Sequence, residues 1–166
     1  MNEIRIERLQ PAYFRSMWEG LDLVARERKY LILLEAPPYE SSVEFFNTMM
    51  GEKGIMLNAL DGERVVGWCD VRRVDAEISK HCGILGMGIV EGYRGRGLGE
   101  RLLTQTLDSI RQSGLGIERV ELTVWGSNVR AMGLYEKVGF VHEGRKVRAR
   151  KIDGATDDVV LMAKFL

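Results

Sequence analysis

The stretch VEGYRGRGLGERLL, residues 90–103, combines alternating glycines with the start of an apolar helical pattern. Its alternating part consists of Arg94, Gly95, Arg96, Gly97, Leu98 and Gly99. Glycine has no Cβ, so a cluster of glycines lets a ligand approach the backbone closely. The apolar residues that follow recur at helical spacing and are Leu98, Leu102, Leu103, Leu107 and Ile110. Because first-turn N–H groups lack intrahelical partners and carry the positive end of the helix dipole, this stretch predicts an anion site.

Three classes of anionic ligand bind glycine loops at helix starts, and the spacing of the glycines excludes two of them here. A Walker loop, G-x-x-x-x-G-K-[ST], requires a lysine and a hydroxyl, but Gly99 is followed by Glu100 and Arg101. A dinucleotide fingerprint, G-x-G-x-x-G, fails at its third glycine, since counting from Gly95 and Gly97 puts Glu100 there. The loop therefore does not predict phosphoryl transfer or dinucleotide binding.

Two motifs resemble those of the GNAT superfamily of acetyl-CoA-dependent N-acetyltransferases. The sequence R-G-R-G-L-G matches its [QR]-x-x-G-x-[GA] signature, a loop that cradles a pyrophosphate in those proteins. The segment VELTVWGSNVRAMGLYEKVGF, residues 120–140, resembles the second cofactor motif, N-x-x-A-x-x-L-Y-x-x-x-G-F. The matching residues are Asn128, Ala131, Leu134, Tyr135, Gly139 and Phe140. In general form the chain is similar to phosphinothricin and ribosomal-protein N-terminal acetyltransferases.

Local patterns predict the elements on either side of these motifs. Alternation of apolar and charged residues predicts a strand in 3–9, and helical periodicity predicts a helix from Pro11 to about Arg28. Ser41 and Glu44 have the spacing of a capping box and predict the start of a second helix. Turn dipeptides then predict hairpins, at Asp61-Gly62 and Asp153-Gly154.

The order of predicted elements extends the resemblance over nearly the whole chain. It runs strand, helix, helix, hairpin, strand, glycine loop with helix, strand, helix and hairpin. The resemblance implies one domain, 1–166, with the α/β (α+β) GNAT fold. In that fold a mixed, mostly antiparallel sheet is flanked by helices and splays open at the cofactor-binding strand.

Composition limits the partners and the location that we expect. Lys plus Arg and Asp plus Glu number 24 each, so there is no net field to attract nucleic acid or an anionic membrane. The N-terminus shows no signal-peptide pattern and no apolar run reaches membrane-spanning length, which predicts a cytoplasmic protein. Two cysteines and two histidines lack the spacing of zinc ligands, so we expect no metal.

The resemblance implies where acetyl-CoA binds. Gly86 and Gly88 would let the pantetheine arm lie along the strand before the loop, and the loop N–H groups would bind the pyrophosphate. Arg94 or Arg96 would add a charged contact. The expected contact residues are Met87, Gly88, Ile89, Arg94, Gly95, Arg96, Gly97, Leu98, Gly99, Glu100, Asn128 and Ala131.

The resemblance also implies the catalytic groups. Tyr135 matches the residue that gives a proton to the leaving thiolate, and a backbone N–H near Ile89 would stabilise the oxyanion. The general base is left open, because the strand GILGMGIV lacks the glutamate that many members carry there. Glu35, His81 and a water chain are the candidates, and Glu35 is the one that we predict to be catalytic.

The expected reaction is transfer of the acetyl group to a primary amine of a small molecule, an amino acid or a peptide N-terminus. The alternative is a sensor that binds acetyl-CoA or CoA without turnover. Residues 25–40 and the last hairpin are expected to set the acceptor. The apolar segment VVLMAKFL at the end of the chain suggests an exposed edge strand that pairs in a homodimer.

Overall fold

The computed structural model describes residues 3–166, which form seven strands and four α-helices. The strands are β1 (Arg5–Arg8), β2 (Gly54–Asp61), β3 (Arg64–Arg73), β4 (Cys82–Ile89), β5 (Arg119–Trp125), β6 (Val141–Ile152) and β7 (Ala155–Phe165). The helices are α1 (Phe14–Arg26), α2 (Tyr39–Met50), α3 (Leu98–Gln112) and α4 (Val129–Val138). None of the helices in this part of the chain has the length and apolar character needed to cross a membrane.

All seven strands lie in one sheet, in the order β1-β2-β3-β4-β5-β7-β6. Every neighbouring pair is antiparallel except β4 and β5, which are parallel. Parallel neighbours require a crossover connection, and α3 supplies it. The predicted mixed, mostly antiparallel sheet with flanking helices is confirmed.

The parallel pair separates after a short contact. β4 and β5 are in register only at Cys82 with Arg119, Gly83 with Val120 and Ile84 with Glu121. Beyond Ile84, β4 stays paired with β3 up to Ile89, whereas β5 stays paired with β7 up to Trp125. The predicted opening of the sheet beside β4 is confirmed, and we call it the β4–β5 gap.

Each face of the sheet carries one pair of helices. α3 and α4 cover the face on which Val120, Leu122 and Val124 of β5 are buried. α1 and α2 cover the opposite face and bury Met56 and Trp68 with their own apolar residues. The burial of both faces explains the nearly continuous apolar runs of β2 and β3, whose residues alternate between the two cores.

The predicted capping box is wrong. α2 begins at Tyr39 with Pro38 as its N-cap, and no side chain caps it, so Ser41 and Glu44 lie inside the helix. Proline sets a backbone angle that suits a helix start and has no N–H that needs a partner there, so the helix begins earlier. At the other end of the preceding loop, α1 ends at Arg26, and Arg28 adopts a left-handed φ of 57°.

The prediction that the C-terminal strand is an exposed edge is also wrong. β7 pairs with β5 on one side and with β6 on the other, which buries Val160, Met162 and Ala163. At this end of the sheet the exposed edge is β6, whose cations are Arg145, Lys146, Arg148, Arg150 and Lys151.

Candidate functional site

The glycine loop leads directly into the first turn of α3. Gly97 is the N-cap of this helix and has a left-handed φ of 74°, which glycine adopts without strain. The first intrahelical bond runs from the Arg101 N–H to the Gly97 carbonyl oxygen, at 3.1 Å. The N–H groups that precede this bond have no intrahelical acceptor and belong to Leu98, Gly99 and Glu100. The loop thus presents the donors that the sequence predicts.

The three alternating glycines have different surroundings. A Cβ on Gly95 would lie 2.6 Å from Nη2 of Arg130, so that glycine makes room for the arginine. A Cβ on Gly99 would lie 3.1 Å from Cδ2 of Leu134, which shows that α3 and α4 pack closely there. A Cβ on Gly97 would have nothing within 4 Å. The open space beside the loop therefore lies at Gly97.

Arg94 anchors the loop to α1. Its Nε donates to the Ile89 carbonyl oxygen at 2.7 Å, and its Nη1 donates to Oε2 of Glu27 at 2.8 Å. Its Nη2 contacts the other oxygen of Glu27, and the guanidinium lies 4.6 Å from the centre of the Tyr30 ring. Hydrogen bonding to Glu27 raises the pKa of Arg94. This guanidinium is held by protein groups. Arg96 lies at the exposed surface of the loop.

The backbone of β4 presents polar groups to the β4–β5 gap. The Val90 N–H donates to the Val66 carbonyl oxygen at 2.9 Å. In an antiparallel pair every second residue bonds to the neighbouring strand, so Gly88 and Gly86 of β4 bond to β3. The backbone groups of Met87 and Ile89 must then point the other way, toward the gap. The Ile89 carbonyl is used by Arg94. Both groups of Met87 and the Ile89 N–H are left facing the gap.

Gly86 and Gly88 make room for side chains of β3. A Cβ on Gly88 would lie 2.4 Å from the ring of Trp68, and a Cβ on Gly86 would lie 3.1 Å from Oδ1 of Asp70. We expected these glycines to admit the pantetheine arm. On the face covered by α1 and α2, their neighbours are instead protein side chains.

Asp70 is a candidate site residue that the sequence analysis missed. It lies on β3 between Met56 of β2 and Gly86 of β4, and it is half-buried. Within residues 3–166 its carboxylate makes no hydrogen bond or ion pair. Burial raises the pKa of Asp70 to about 7, although the positive charge of Arg72 acts to lower it. A single acid within the apolar strand VVGWCDV was the available signal.

Tyr135 is the buried residue of α4 and lies on the face of the sheet opposite to Asp70. Its ring is buried and packs against Phe140, with 5.8 Å between ring centres. Burial raises the pKa of the Tyr135 phenol, with a smaller contribution from Cys69, so the hydroxyl stays protonated at neutral pH. The start of α4 is fixed by Asn128, whose Oδ1 accepts from the Ala131 N–H at 3.2 Å.

A cleft of about 430 Å³ opens on the face covered by α1 and α2, beyond the gap. Its walls come from the α1–α2 loop, β5 and the β6–β7 hairpin, and its lining residues are Leu31, Ile32, Leu34, Thr123, Trp125, Ala149, Arg150, Lys151, Ile152 and Val159. Arg28 ties the loop to the hairpin turn, since its Nη2 donates to Oδ1 of Asp153 at 2.7 Å. We call this cavity the hairpin cleft.

The two side chains considered as bases lie in less protected places. Glu35 is exposed and lies 3.3 Å from Nη2 of Arg26, in a neighbouring depression of about 420 Å³. His81 is exposed and precedes β4 at the end where that strand still pairs with β5. The opposite end of β4, at Ile89, is roughly 26 Å away at about 3.3 Å per residue. The structure does not bring His81 to the opening of the gap.

Comparison with known proteins gives matches in both sequence and fold. The chain is 32% identical to the N-alpha-acetyltransferase RimI of Mycobacterium tuberculosis over 99 residues, which cover 60% of this chain and 60% of that protein. The chain spans less than two thirds of the length of the curated relatives that it matches.

Solved structures match over nearly the entire chain. A GNAT-family acetyltransferase from Streptococcus pneumoniae has a TM-score of 0.91 at 28% identity, covering 99% of this chain and 100% of that one. A GNAT phosphinothricin acetyltransferase from Sinorhizobium meliloti, solved with AcCoA, has a TM-score of 0.89 at 18% identity, covering 99% of this chain and 89% of that one. The model of the acetyltransferase (GNAT) family matches residues 17–140. The resemblance drawn from the two motifs is thereby confirmed, and this chain belongs to the GNAT acetyltransferase family.

Proposed function

We propose that this protein transfers the acetyl group of acetyl-CoA to a primary amine of a small molecule, an amino acid or a peptide N-terminus. The observation that carries the proposal is the β4–β5 gap, which joins the glycine loop to the hairpin cleft. The gap offers backbone groups of Met87 and Ile89 that β5 does not pair, and β5 residues at the gap, Thr123 and Trp125, line the hairpin cleft. Two substrates could therefore meet there from opposite sides.

The coenzyme is assigned to the side of the loop and α4. The first-turn N–H groups of α3 would bind the pyrophosphate, and the open space at Gly97 would admit it. Met87 and Ile89 would pair with the pantetheine arm as a neighbouring strand would. Arg96 would add a charged contact, whereas Arg94 would hold the loop in place through Glu27.

The catalytic assignment uses the Ile89 N–H, which faces the gap, and Tyr135, which lies in the core on the face covered by α3 and α4. The Ile89 N–H would stabilise negative charge on the carbonyl oxygen during attack by the amine. Tyr135 would give its proton to the departing sulfur, because its hydroxyl is protonated at neutral pH and makes no hydrogen bond within residues 3–166. The amine itself would approach from the hairpin cleft, where Thr123 of β5 is exposed and Trp125 is half-buried.

Replacing Gly97 by alanine tests the loop. The methyl group would occupy the open space assigned to the pyrophosphate, so calorimetry should show at least a tenfold loss of CoA affinity. The left-handed backbone alone costs an alanine about 1–2 kcal/mol. Gly114→Ala is a matched control, because Gly114 has a φ of 70° and also has nothing within 4 Å of its added Cβ. Equal CoA affinity in the two variants would show that the glycine loop does not bind the coenzyme.

Replacing Tyr135 by phenylalanine tests the proton donor. The ring and its contact with Phe140 are retained, so the melting temperature and the CoA affinity should stay unchanged. We expect kcat and kcat/KM to fall together by ~10²-fold, the low end of general acid catalysis, since a thiolate leaves with little help. Tyr13→Phe, which removes a hydroxyl bonded to Glu7, is the control. If Tyr135→Phe keeps full kcat, Tyr135 is a buried core residue and not the proton donor.

A screen for thiol release from acetyl-CoA separates the enzyme from the sensor and identifies the acceptor. The panel contains amino acids, dipeptides, polyamines and aminoglycosides, and at least one class should release CoA above the rate of hydrolysis. Acetyl-CoA should also raise the melting temperature, since a ligand bound only by the folded state stabilises it. Stabilisation without thiol release from any amine would favour the sensor instead.

We also propose that two copies of the chain associate, through β6 rather than β7. The side of β6 away from β7 is an unpaired edge, and Val141 and Val147 on this strand are exposed. Light scattering at micromolar concentration should give the mass of a dimer, and Val147→Lys should shift it toward the monomer. A monomeric mass for the unaltered protein would contradict the proposal.

A further inference from the structure

We propose that Asp70 is the general base that removes a proton from the acceptor amine. The inference rests on the acetyl transfer proposed above and supplies the group that β4 itself lacks. It assigns a catalytic task to a strand that lies beside β4, on the side away from the gap.

The register of the sheet places Asp70 on the acceptor side, one strand away from the gap. Asp70 pairs with Gly86, and both lie on the face covered by α1 and α2. Ile84, two residues before Gly86, pairs with Glu121 on that same face, after which the strands separate. Continuing the register by two residues sets Gly86 opposite Thr123, a wall residue of the hairpin cleft. Asp70, Gly86 and Thr123 therefore share one row across the sheet.

Gly86 leaves room for the Asp70 carboxylate beside β4. A Cβ on that glycine would lie 3.1 Å from Oδ1 and 3.5 Å from Oδ2, so a side chain there would crowd the carboxylate. Strands are roughly 4.8 Å apart, and the carboxylate extends from β3 toward β4 and the gap across part of that spacing. No side chain of Gly86 separates it from an amine there.

Two other acids on this side of the molecule form ion pairs at the surface. Glu121 lies 3.2 Å from Nη2 of Arg119, and Glu35 lies 3.3 Å from Nη2 of Arg26. Asp70 has no such partner within the described residues. Withdrawing a carboxylate from water without a compensating bond costs stability, so its presence is not explained by the fold. Perturbed groups of this kind concentrate at functional sites.

The surroundings of Asp70 favour proton transfer near neutral pH. β2 presents Met56 and β4 presents Gly86, and Arg72 on its own strand is the charged group that acts on it. Burial outweighs this arginine and raises the pKa of Asp70 to about 7. A base whose pKa lies near the working pH is present in its ionised form and still binds a proton well.

The protons balance over the whole reaction. Asp70 takes one proton from the ammonium form of the acceptor and returns it to solvent, which leaves a neutral amine. The nitrogen then forms a bond to the carbonyl carbon, and the carbon–sulfur bond breaks with its electron pair on sulfur. Tyr135 donates a proton to that sulfur. The second proton lost by the nitrogen restores the tyrosine, through water, and the products are an amide and a thiol.

Replacing Asp70 by asparagine tests the proposal in the full chain. The assay uses acetyl-CoA with the panel amine that gives the unaltered protein its highest rate. We expect unchanged CoA affinity and a fall in kcat/KM of ~10²- to 10⁴-fold at pH 7. The unaltered protein should lose activity below about pH 7, and this acid limb should vanish in the variant. Glu121→Gln is the matched control. It should keep the kcat/KM of the unaltered protein and its loss of activity below about pH 7.

Stability gives a readout that needs no acceptor. The pKa of Asp70 is raised in the folded state from an ordinary 3.8, so folding binds a proton between about pH 4 and 7 and stability falls as pH rises through that range. The melting temperature of Asp70→Asn relative to the unaltered protein should therefore increase from pH 5 to pH 8. A constant difference would show that Asp70 is not a perturbed acid and would overturn the proposal.

The remaining outcomes separate this inference from the proposed function. Failure of the unaltered protein to bind CoA, or to release thiol with any amine, would overturn the acetyl transfer and the base with it. Normal turnover by the unaltered protein and by Asp70→Asn, with the same pH profile, would overturn the base alone. Loss of activity in Glu35→Gln but not in Asp70→Asn would assign the proton transfer to Glu35.

Discussion

The separation of β4 from β5 is the constraint around which the molecule is organised. The two strands share three registered pairs, after which each keeps its other neighbour. Backbone groups along the rest of β4 thus lack a sheet partner on one side, which is costly unless something else bonds to them. Because β4 and β5 are parallel, the chain must cross between them, and α3 begins next to the open end of β4. The unpaired part of β4 and the N-terminus of α3 therefore lie close together, because both belong to the crossover from β4 to β5.

The gap also divides the chemistry between the two faces of the sheet. Tyr135 lies on the face covered by α3 and α4, together with the helix N-terminus that favours an anion. Asp70 lies on the other face, where the hairpin cleft opens. The proposed proton donor and the proposed proton acceptor thus lie on opposite faces, where they would not exchange a proton directly. Burial raises the pKa of both groups. Only the pKa of the Asp70 carboxyl is brought close to neutral pH.

Sequence reasoning succeeded where a few neighbouring residues determine the outcome. The glycine loop, the helix after it and the asparagine cap of α4 follow from local spacing, and the order of elements then identified the fold. It failed where residues distant in sequence decide. The anchoring of Arg94 to α1 was not predicted, because Glu27, 67 residues away, leaves no local trace. β7 looked like an edge because its pairing with β5 depends on the topology of the sheet. Asp70 escaped notice because only the pairing of β3 with β4 sets it opposite a glycine.

Gly86 and Asp70 are best understood as a unit. The family resemblance led us to look for an acid on β4, where a carboxylate would need its own Cβ. Here a Cβ at Gly86 would crowd Oδ1 of Asp70 at 3.1 Å, a distance tighter than most real contacts of that kind. A side chain at position 86 and a carboxylate from position 70 therefore compete for one volume. The absence of a side chain on β4, which at first suggested a missing base, is the condition that would let the neighbouring strand supply the base that we propose.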